Sequence, residues 1–219
     1  DDSAAAPAVG RSSPLRDLTE AAASVWSTPH LLAAMSLAFL VNMTAFPLSG
    51  GLLPYVARDV YGADQTWLGY LVAGFASGGL VGSITLTRTA AAIRPARMMI
   101  VFAIAWYLLL LVFAQTQTAV AGVAVLMVAG FLQSLCMVPM SVMLVKGAPP
   151  RIRGRVMGLR MLAVYGLPVG LLVAGPMIAA FGFAATATCY AVVGLLLTLA
   201  IGLHWRAHLW GVDTPGNAP

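Results

Sequence analysis

Charged residues are scarce in this sequence. Aspartate, glutamate, lysine and arginine make up 9% of its 219 residues, whereas a soluble domain carries about 25%. Hydrophobic residues make up 60%, and the mean hydropathy is +0.90. A soluble fold of this size cannot hide so much apolar surface from water. Because every backbone group must be satisfied internally in lipid, the composition predicts an all-α integral membrane protein.

The side chains that carry chemistry are also few. None of the seven acidic residues lies within a long apolar segment, and His30, His204 and His208 lie at or beyond segment ends. The two cysteines, Cys136 and Cys189, lie singly in apolar runs and form neither a metal-binding spacing nor a disulfide framework. The sequence contains no catalytic set and no Walker A loop. We therefore predict that the chain is not an enzyme and binds no metal or cofactor.

Six apolar segments are each long enough for a helix that crosses the membrane, which takes about 20 residues. They lie at 30–56, 66–86, 98–114, 118–145, 161–180 and 183–205. The connections at 115–118 and 181–182 are so short that their flanking segments must form tight antiparallel hairpins. We therefore predict a six-helix transmembrane domain over 29–206.

The basic residues are distributed unevenly between the two sides of the membrane. Eleven of the twelve lie before the first segment, in alternate gaps or after the last segment, and Arg58 is the exception. The positive-inside rule then places both termini in the cytoplasm. The net charge of +5 indicates contact with anionic membrane lipid and not with nucleic acid, because no aromatic-basic face accompanies it. The preference for arginine and the high alanine content suggest a bacterial inner membrane.

The flanking regions are polar. Residues 1–13 have the composition of a disordered linker, and a chain that begins with Asp1 is expected to be a fragment of a longer protein. Residues 14–28 place apolar side chains on one helical face, which predicts an amphipathic interfacial helix; the alternative is an extension of the first span. Residues 207–219 are expected to form a cytoplasmic tail.

Uncharged polar and aromatic residues mark a candidate ligand site. Asn42 and Gln133 lie near the middle of the first and fourth segments, each within a stripe at helical spacing. Aromatic rings and methionine sulfurs suit a greasy ligand of variable shape, and an amide adds one directional contact. The alternative is that each amide bonds a neighbouring helix. The candidate ligand residues are Phe39, Asn42, Phe46, Gln133, Met137, Met140 and, as a weaker candidate, Tyr165.

Glycine and proline mark two further features. Gly74, Gly78 and Gly82 recur every four residues in the second segment, which predicts close helix packing and not ligand binding. In the fifth segment, Pro168 and the pair formed by Gly175 and Pro176 can bend the helix. A bent helix beside a cavity can act as a gate, and a purely structural bend is the alternative.

The stretch 149–159 (PPRIRGRVMGL) is predicted to be a loop between the fourth and fifth segments. Arg153 and Arg155 flank Gly154, and Gly158 precedes the next span. Arginine side chains here can bond helix C-terminal carbonyls or a carboxylate of another domain, which would latch the cytoplasmic side in one state. The alternative is that they serve only topology and lipid contact.

These motifs resemble the C-terminal six-helix half of the major facilitator superfamily. The stretch RGRVMGL at 153–159 resembles the loop between helices ten and eleven of that family, and the glycine-rich second segment resembles helix eight. The stretch 41–54 resembles helix seven, and together these resemble the branch of drug and siderophore exporters that includes the enterobactin exporter. The pair Gly175 and Pro176 is similar to the glycine-proline pair of antiporter helix five.

The resemblance implies a 3+3 inverted repeat in which helices seven, eight, ten and eleven line a cavity and helices nine and twelve face lipid. It implies half of a proton-driven exporter of small amphiphilic compounds, whose partner is the missing N-terminal half. Two alternatives stay open: a half-transporter that pairs with a second copy of itself, and a membrane scaffold that transports nothing.

Overall fold

A computed structural model describes residues 23, 25–89, 95–148 and 150–211, and within them every regular element is helical. The predicted linker at 1–13, most of the interfacial helix at 14–28 and most of the tail at 207–219 lie outside the described residues. The main helices are α1 (Pro29–Thr44), α2 (Gln65–Thr89), α3 (Pro95–Phe113), α4 (Ala119–Gly147), α5 (Arg153–Leu162), α6 (Gly166–His204) and α7 (Arg206–Gly211).

Among the described residues, five helical stretches are long and apolar enough to cross a membrane, so the chain is a multi-pass membrane-embedded protein. The last of them, Arg153–His204, contains 52 residues, whereas about 20 suffice for one crossing. Gly182 interrupts it with φ 80° and ψ 168°. The Tyr190 hydroxyl donates a hydrogen bond of 2.6 Å to the Gly170 carbonyl, although an unbroken helix would separate these residues by about 30 Å. The chain therefore reverses at Gly182, and α6 has a first arm (166–181) and a second arm (183–204).

Contacts between loops and helix ends define two ends of the bundle. At one end, His30 at the start of α1 packs against Gly147 at the end of α4. At the other end, the Tyr61 and Thr116 hydroxyls lie 2.6 Å apart, and Gln115 Nε2 donates to Thr188 Oγ1 at 3.0 Å. Every described lysine and arginine except Arg58 lies toward the first end. We call it the basic end.

The first span is less regular than a single α-helix, which is a departure from the prediction. After α1, two wide π-helical turns at Pro47–Gly51 and Val56–Val60 flank a short α-helical turn at Leu53–Tyr55. Proline has no backbone N–H and its ring crowds the preceding turn, so Pro47 disturbs the regular hydrogen-bond ladder where α1 ends. The span extends to Val60, four residues beyond the predicted end at Val56.

Large aromatic side chains fill the interior where α1 and α3 meet. Trp106, Tyr107 and Phe113 of α3 are completely buried. The Trp106 ring meets Phe46 edge to face, with centroids 5.3 Å apart. The Thr44 hydroxyl donates to the Leu40 carbonyl, which leaves the Tyr107 hydroxyl to donate to Thr44 over 2.6 Å. This pairing satisfies a hydroxyl that would otherwise be unpartnered in the interior.

Glycine columns allow two helix pairs to cross closely. In α2, a Cβ atom at Gly78 would strike the Met127 carbonyl oxygen of α4, and one at Gly82 would lie 2.8 Å from the Phe131 carbonyl oxygen. In the first arm of α6, a Cβ atom at Gly166 would lie 2.9 Å from the Phe39 carbonyl oxygen of α1. One at Gly170 would strike the Met43 carbonyl oxygen. Backbone therefore meets backbone at both crossings.

The stretch that follows α4 is helical and not a loop, so that prediction was wrong. A 3-10 turn at Pro150–Ile152 leads directly into α5. Val156 is completely buried, while Gly154 and Gly158 face open space. The apolar side chain of Val156 anchors one face of α5 to the bundle, while Arg153 is exposed, which gives an amphipathic helix at the basic end.

Candidate functional site

A groove lined by the candidate ligand residue Phe39 lies between α1 and the second arm of α6 at the basic end. It has a volume of about 690 Å³. Its walls are Trp26, Leu32, Met35, Ser36, Phe39, Leu40, Met43, Leu197, Ala200, Ile201, His204 and Trp205. Only Ser36 and His204 among them are polar apart from the two indoles. The groove therefore suits an apolar or amphiphilic molecule.

The structure divides the predicted stripe on the first span. Phe39 is 44% exposed and lines the groove. The Asn42 amide donates to the Ala38 carbonyl of its own helix at 2.8 Å, and the Asn42 Cβ lies 3.3 Å from the position that a Cβ at Gly166 would take. Phe46 turns toward Trp106. Asn42 thus lies at the crossing with the first arm of α6, where its amide has a local partner.

The candidates on α4 lie on the other side of the bundle. Gln133 is partly buried, with its Oε1 near Gly79 of α2. Met137 is partly buried and Met140 is completely buried in the core. Of the seven candidate ligand residues, Phe39 lines this groove, and the other six are not among its walls. Within the part of the chain that the structure describes, these side chains do not all reach this groove.

Tyr165 is the most exposed of the candidates, at 67%. It ends a 3-10 turn at Ala163–Tyr165, immediately before α6. Tyr61, at the opposite end of the bundle, is instead held by a hydrogen bond to Thr116. Burial raises the pKa of the Tyr61 hydroxyl, and this hydrogen bond offsets part of the increase. Tyr61 fastens the connection after the first span to the connection before α4, whereas Tyr165 presents its ring to the surroundings.

Arg153 makes a contact of the kind that the sequence interpretation described. Its Nε donates to the Ala148 carbonyl at 3.1 Å, and Ala148 is the C-terminal cap of α4. A guanidinium at a helix C-terminus satisfies a free carbonyl and is favoured by the helix dipole. Arg155 is half-buried on the same helix. The bond joins α5 to the end of α4, and its role as a latch stays a prediction.

The two prolines that were predicted to bend the fifth segment lie at different positions in α6. Pro168 is the third residue of α6, so its missing N–H falls in the first turn, where no intrahelical partner exists. Pro176 lies inside the first arm, where it removes one backbone donor. Gly175 beside it is exposed, and an added Cβ there would have no neighbouring atom within 4 Å. The pair therefore weakens the first arm on its outer face.

Sequence reasoning missed the contact between Thr44 and Tyr107. A hydroxyl-bearing aromatic in an otherwise apolar third segment was the available signal, because a buried tyrosine needs a partner. It also missed the part that His204 and Trp205 play as walls of the groove, since α1 and the second arm are about 160 residues apart in the sequence and only tertiary packing joins them.

Within the described residues, no three histidine, cysteine or acidic side chains are placed to hold a metal ion.

Comparison with known proteins adds no relative: no family model, curated protein or solved structure matches the chain.

Proposed function

We propose that this chain is one half of a secondary active transporter of the major facilitator type. It exports small amphiphilic compounds by alternating access, driven by the proton gradient, and it pairs with a second six-helix half. In this proposal the two arms of α6 are the fifth and sixth spans. The chain then crosses the membrane six times, with both termini in the cytoplasm of a bacterial inner membrane.

The observation that carries the proposal is the repeated glycine crossing. The second span places Gly74, Gly78 and Gly82 on the fourth span, and the fifth span places Gly166 and Gly170 on the first span. Exchanging spans one to three with spans four to six converts one crossing into the other. Internal repeats of this kind build the halves of secondary transporters, which rock around a site between them.

The charges support the orientation. The basic end carries every described lysine and arginine except Arg58, and the described acids Asp59 and Asp64 lie at the opposite end. Loops rich in lysine and arginine stay in the cytoplasm. Since these two acids lie far from the middle of the bundle, we assign the proton-carrying group to the partner half.

The separation of the candidate ligand residues also supports the proposal that this chain is one half of a transporter. Tyr165 presents an exposed ring, while Asn42 and Gln133 are only partly buried, on separate helices. A second half that covers these faces would bring its own side chains to them, and the binding site would then lie between the halves. Asn42→Ala and Gln133→Ala are therefore expected to change sensitivity to transported compounds.

The test is ethidium efflux from energised cells that lack their own efflux pumps. We expect no efflux from cells that produce this chain alone, and efflux that a protonophore abolishes when an N-terminal half of the same branch is produced with it. Efflux by the purified chain alone in liposomes would show that it needs no second half; cross-linking through the first, second, fourth and fifth spans would then identify a second copy as the partner.

Two results would refute the proposal. If no N-terminal half of the branch restores efflux and the Ala variants of Asn42 and Gln133 leave drug sensitivity unchanged, the chain is a scaffold. If a reporter enzyme that works only outside the cytoplasm is active when fused to either terminus, the orientation is wrong. In either case the described helices and their contacts would stand without the transport assignment.

A further inference from the structure

The groove between α1 and the second arm of α6 has the length of one membrane leaflet. On α1 its walls run from Leu32 to Met43, which is about 16 Å of helix. Half of the hydrocarbon core measures roughly 15 Å. The groove begins at the basic end, beside Trp26 and His204, and ends near the middle of the first span. A lipid acyl chain that enters from that end has the length to fill it.

The groove changes in chemistry along this length. Its deep part is apolar, with Met43 and Leu197 as walls. Its mouth carries Trp26, which is 77% exposed, together with Trp205 and His204, whose rings meet edge to face 4.7 Å apart. Tryptophan and histidine present an apolar body and a polar tip, and tryptophan concentrates at the level of lipid headgroups. When an acyl chain occupies the deep part of the groove, the lipid headgroup would therefore lie at the mouth.

Among the described residues, those that carry charge around the mouth are all basic. Arg206 and His208 are exposed on α7, directly after Trp205. Both described acids, Asp59 and Asp64, lie at the opposite end of the bundle. Basic side chains beside a membrane attract anionic lipids, and a phosphate can accept hydrogen bonds from guanidinium and imidazole N–H groups. An anionic headgroup suits this mouth better than a zwitterionic one.

We propose that this groove binds one anionic phospholipid of the leaflet at the basic end. One acyl chain lies between α1 and the second arm of α6, against Phe39 and Ala200. The phosphate lies at His204 and Arg206. The proposal does not depend on transport, because it uses only the groove, the embedding in a membrane and the charges at the mouth.

Tryptophan quenching by lipids with brominated acyl chains tests the proposal. The purified chain is reconstituted into phosphatidylcholine vesicles that contain the same minor fraction of either brominated phosphatidylglycerol or brominated phosphatidylcholine. The Trp205 signal is the difference between the unmodified chain and Trp205→Phe. The difference between the unmodified chain and Trp67→Phe likewise gives the signal of Trp67, which lies at the opposite end. We expect brominated phosphatidylglycerol to quench the Trp205 signal roughly twofold more than brominated phosphatidylcholine, with no such excess at Trp67.

Two matched variants separate a bound lipid from general enrichment at a basic surface. Ala200 is exposed and lines the groove, whereas Ala185 is exposed on the same arm outside it. Ala200→Phe fills the groove and should abolish the phosphatidylglycerol excess, while Ala185→Phe should keep it. His204→Gln combined with Arg206→Gln should reduce quenching by phosphatidylglycerol to the phosphatidylcholine level.

Each result decides the matter. Equal quenching by the two lipids, or an excess that survives Ala200→Phe, would overturn the proposal. Elution of each variant as a single species, with unchanged helical circular dichroism, confirms that the comparison concerns folded protein. Because Ala200 and Ala185 are both exposed on one arm, a general loss of folding would affect the two phenylalanine variants alike and would show in that control.

Discussion

Gly78→Ala tests the backbone crossing between α2 and α4 most directly. The added Cβ would strike the Met127 carbonyl oxygen and lie 3.0 Å from the Phe131 backbone nitrogen. Backbone atoms cannot rotate aside as a side chain can, so the whole of α2 would have to move away from α4. Overpacking of a tight interior costs about 1–3 kcal/mol, and contact with rigid backbone places this variant at the upper end of that range.

The control is Gly69→Ala, which lies on the same helix and has no neighbouring atom within 4 Å of its added Cβ. Alanine there gains up to about 1 kcal/mol of helix propensity without a clash. For a chain of this length, roughly 2–4 °C of melting temperature corresponds to 1 kcal/mol. We expect Gly78→Ala to melt roughly 6–12 °C below the unmodified chain, and Gly69→Ala to melt at or above it.

The assay is thermal unfolding in detergent micelles, followed by helical circular dichroism and by the fraction that elutes as a single species. If Gly78→Ala and Gly69→Ala melt together, α2 and α4 do not approach as closely as described. The repeated glycine crossing would then lose one of its two members, and with it the main support for an inverted repeat.

Three further predictions use the same unfolding assay or the efflux assay. Tyr107→Phe should cost about 1 kcal/mol because the hydrogen bond to Thr44 is lost, whereas Tyr165→Phe, on an exposed ring, should cost nothing; equal melting would contradict this. Gly182→Ala should cost about 1–3 kcal/mol because its backbone angles suit glycine alone, and Gly175→Ala is the unstrained control. Arg153→Ala should slow efflux with little loss of folded protein; a variant that merely fails to insert would show that this arginine serves topology only.

The apolar segments and their connections could be predicted from the sequence because hydropathy and helix length are local properties. The helical boundaries of α2, α3 and α4 follow those segments closely. The reversal at 181–182 was also predicted, because only two residues join the fifth and sixth apolar segments. What could not be predicted was the behaviour of helices under local strain, such as the wide turns after Thr44.

The candidate site was harder to predict for a physical reason. A stripe at helical spacing shows which side chains share a face, but not what that face meets. Phe39 lines the open groove. Phe46, which lies further along the same stripe, packs against Trp106. The stretch 149–159 was misread because charge and glycine indicate a loop, whereas the buried side chain of Val156 anchors a helix there. Both outcomes depend on neighbours far away in the sequence.

In the repeat that we propose, the groove has a counterpart elsewhere in the bundle. Exchange of the two three-span units turns the contact of α3 with α4 into the contact of the second arm with α1. The first pair of helices lies in close contact, whereas the groove lies between the helices of the second pair. In this proposal the repeat sets where helices cross, and side-chain size sets where neighbouring helices separate. A gap filled by a mobile lipid chain can widen without breaking side-chain contacts, while a glycine crossing cannot. If one pair of spans in this unit moves, the second arm against α1 is the pair that can do so at the smallest cost in free energy.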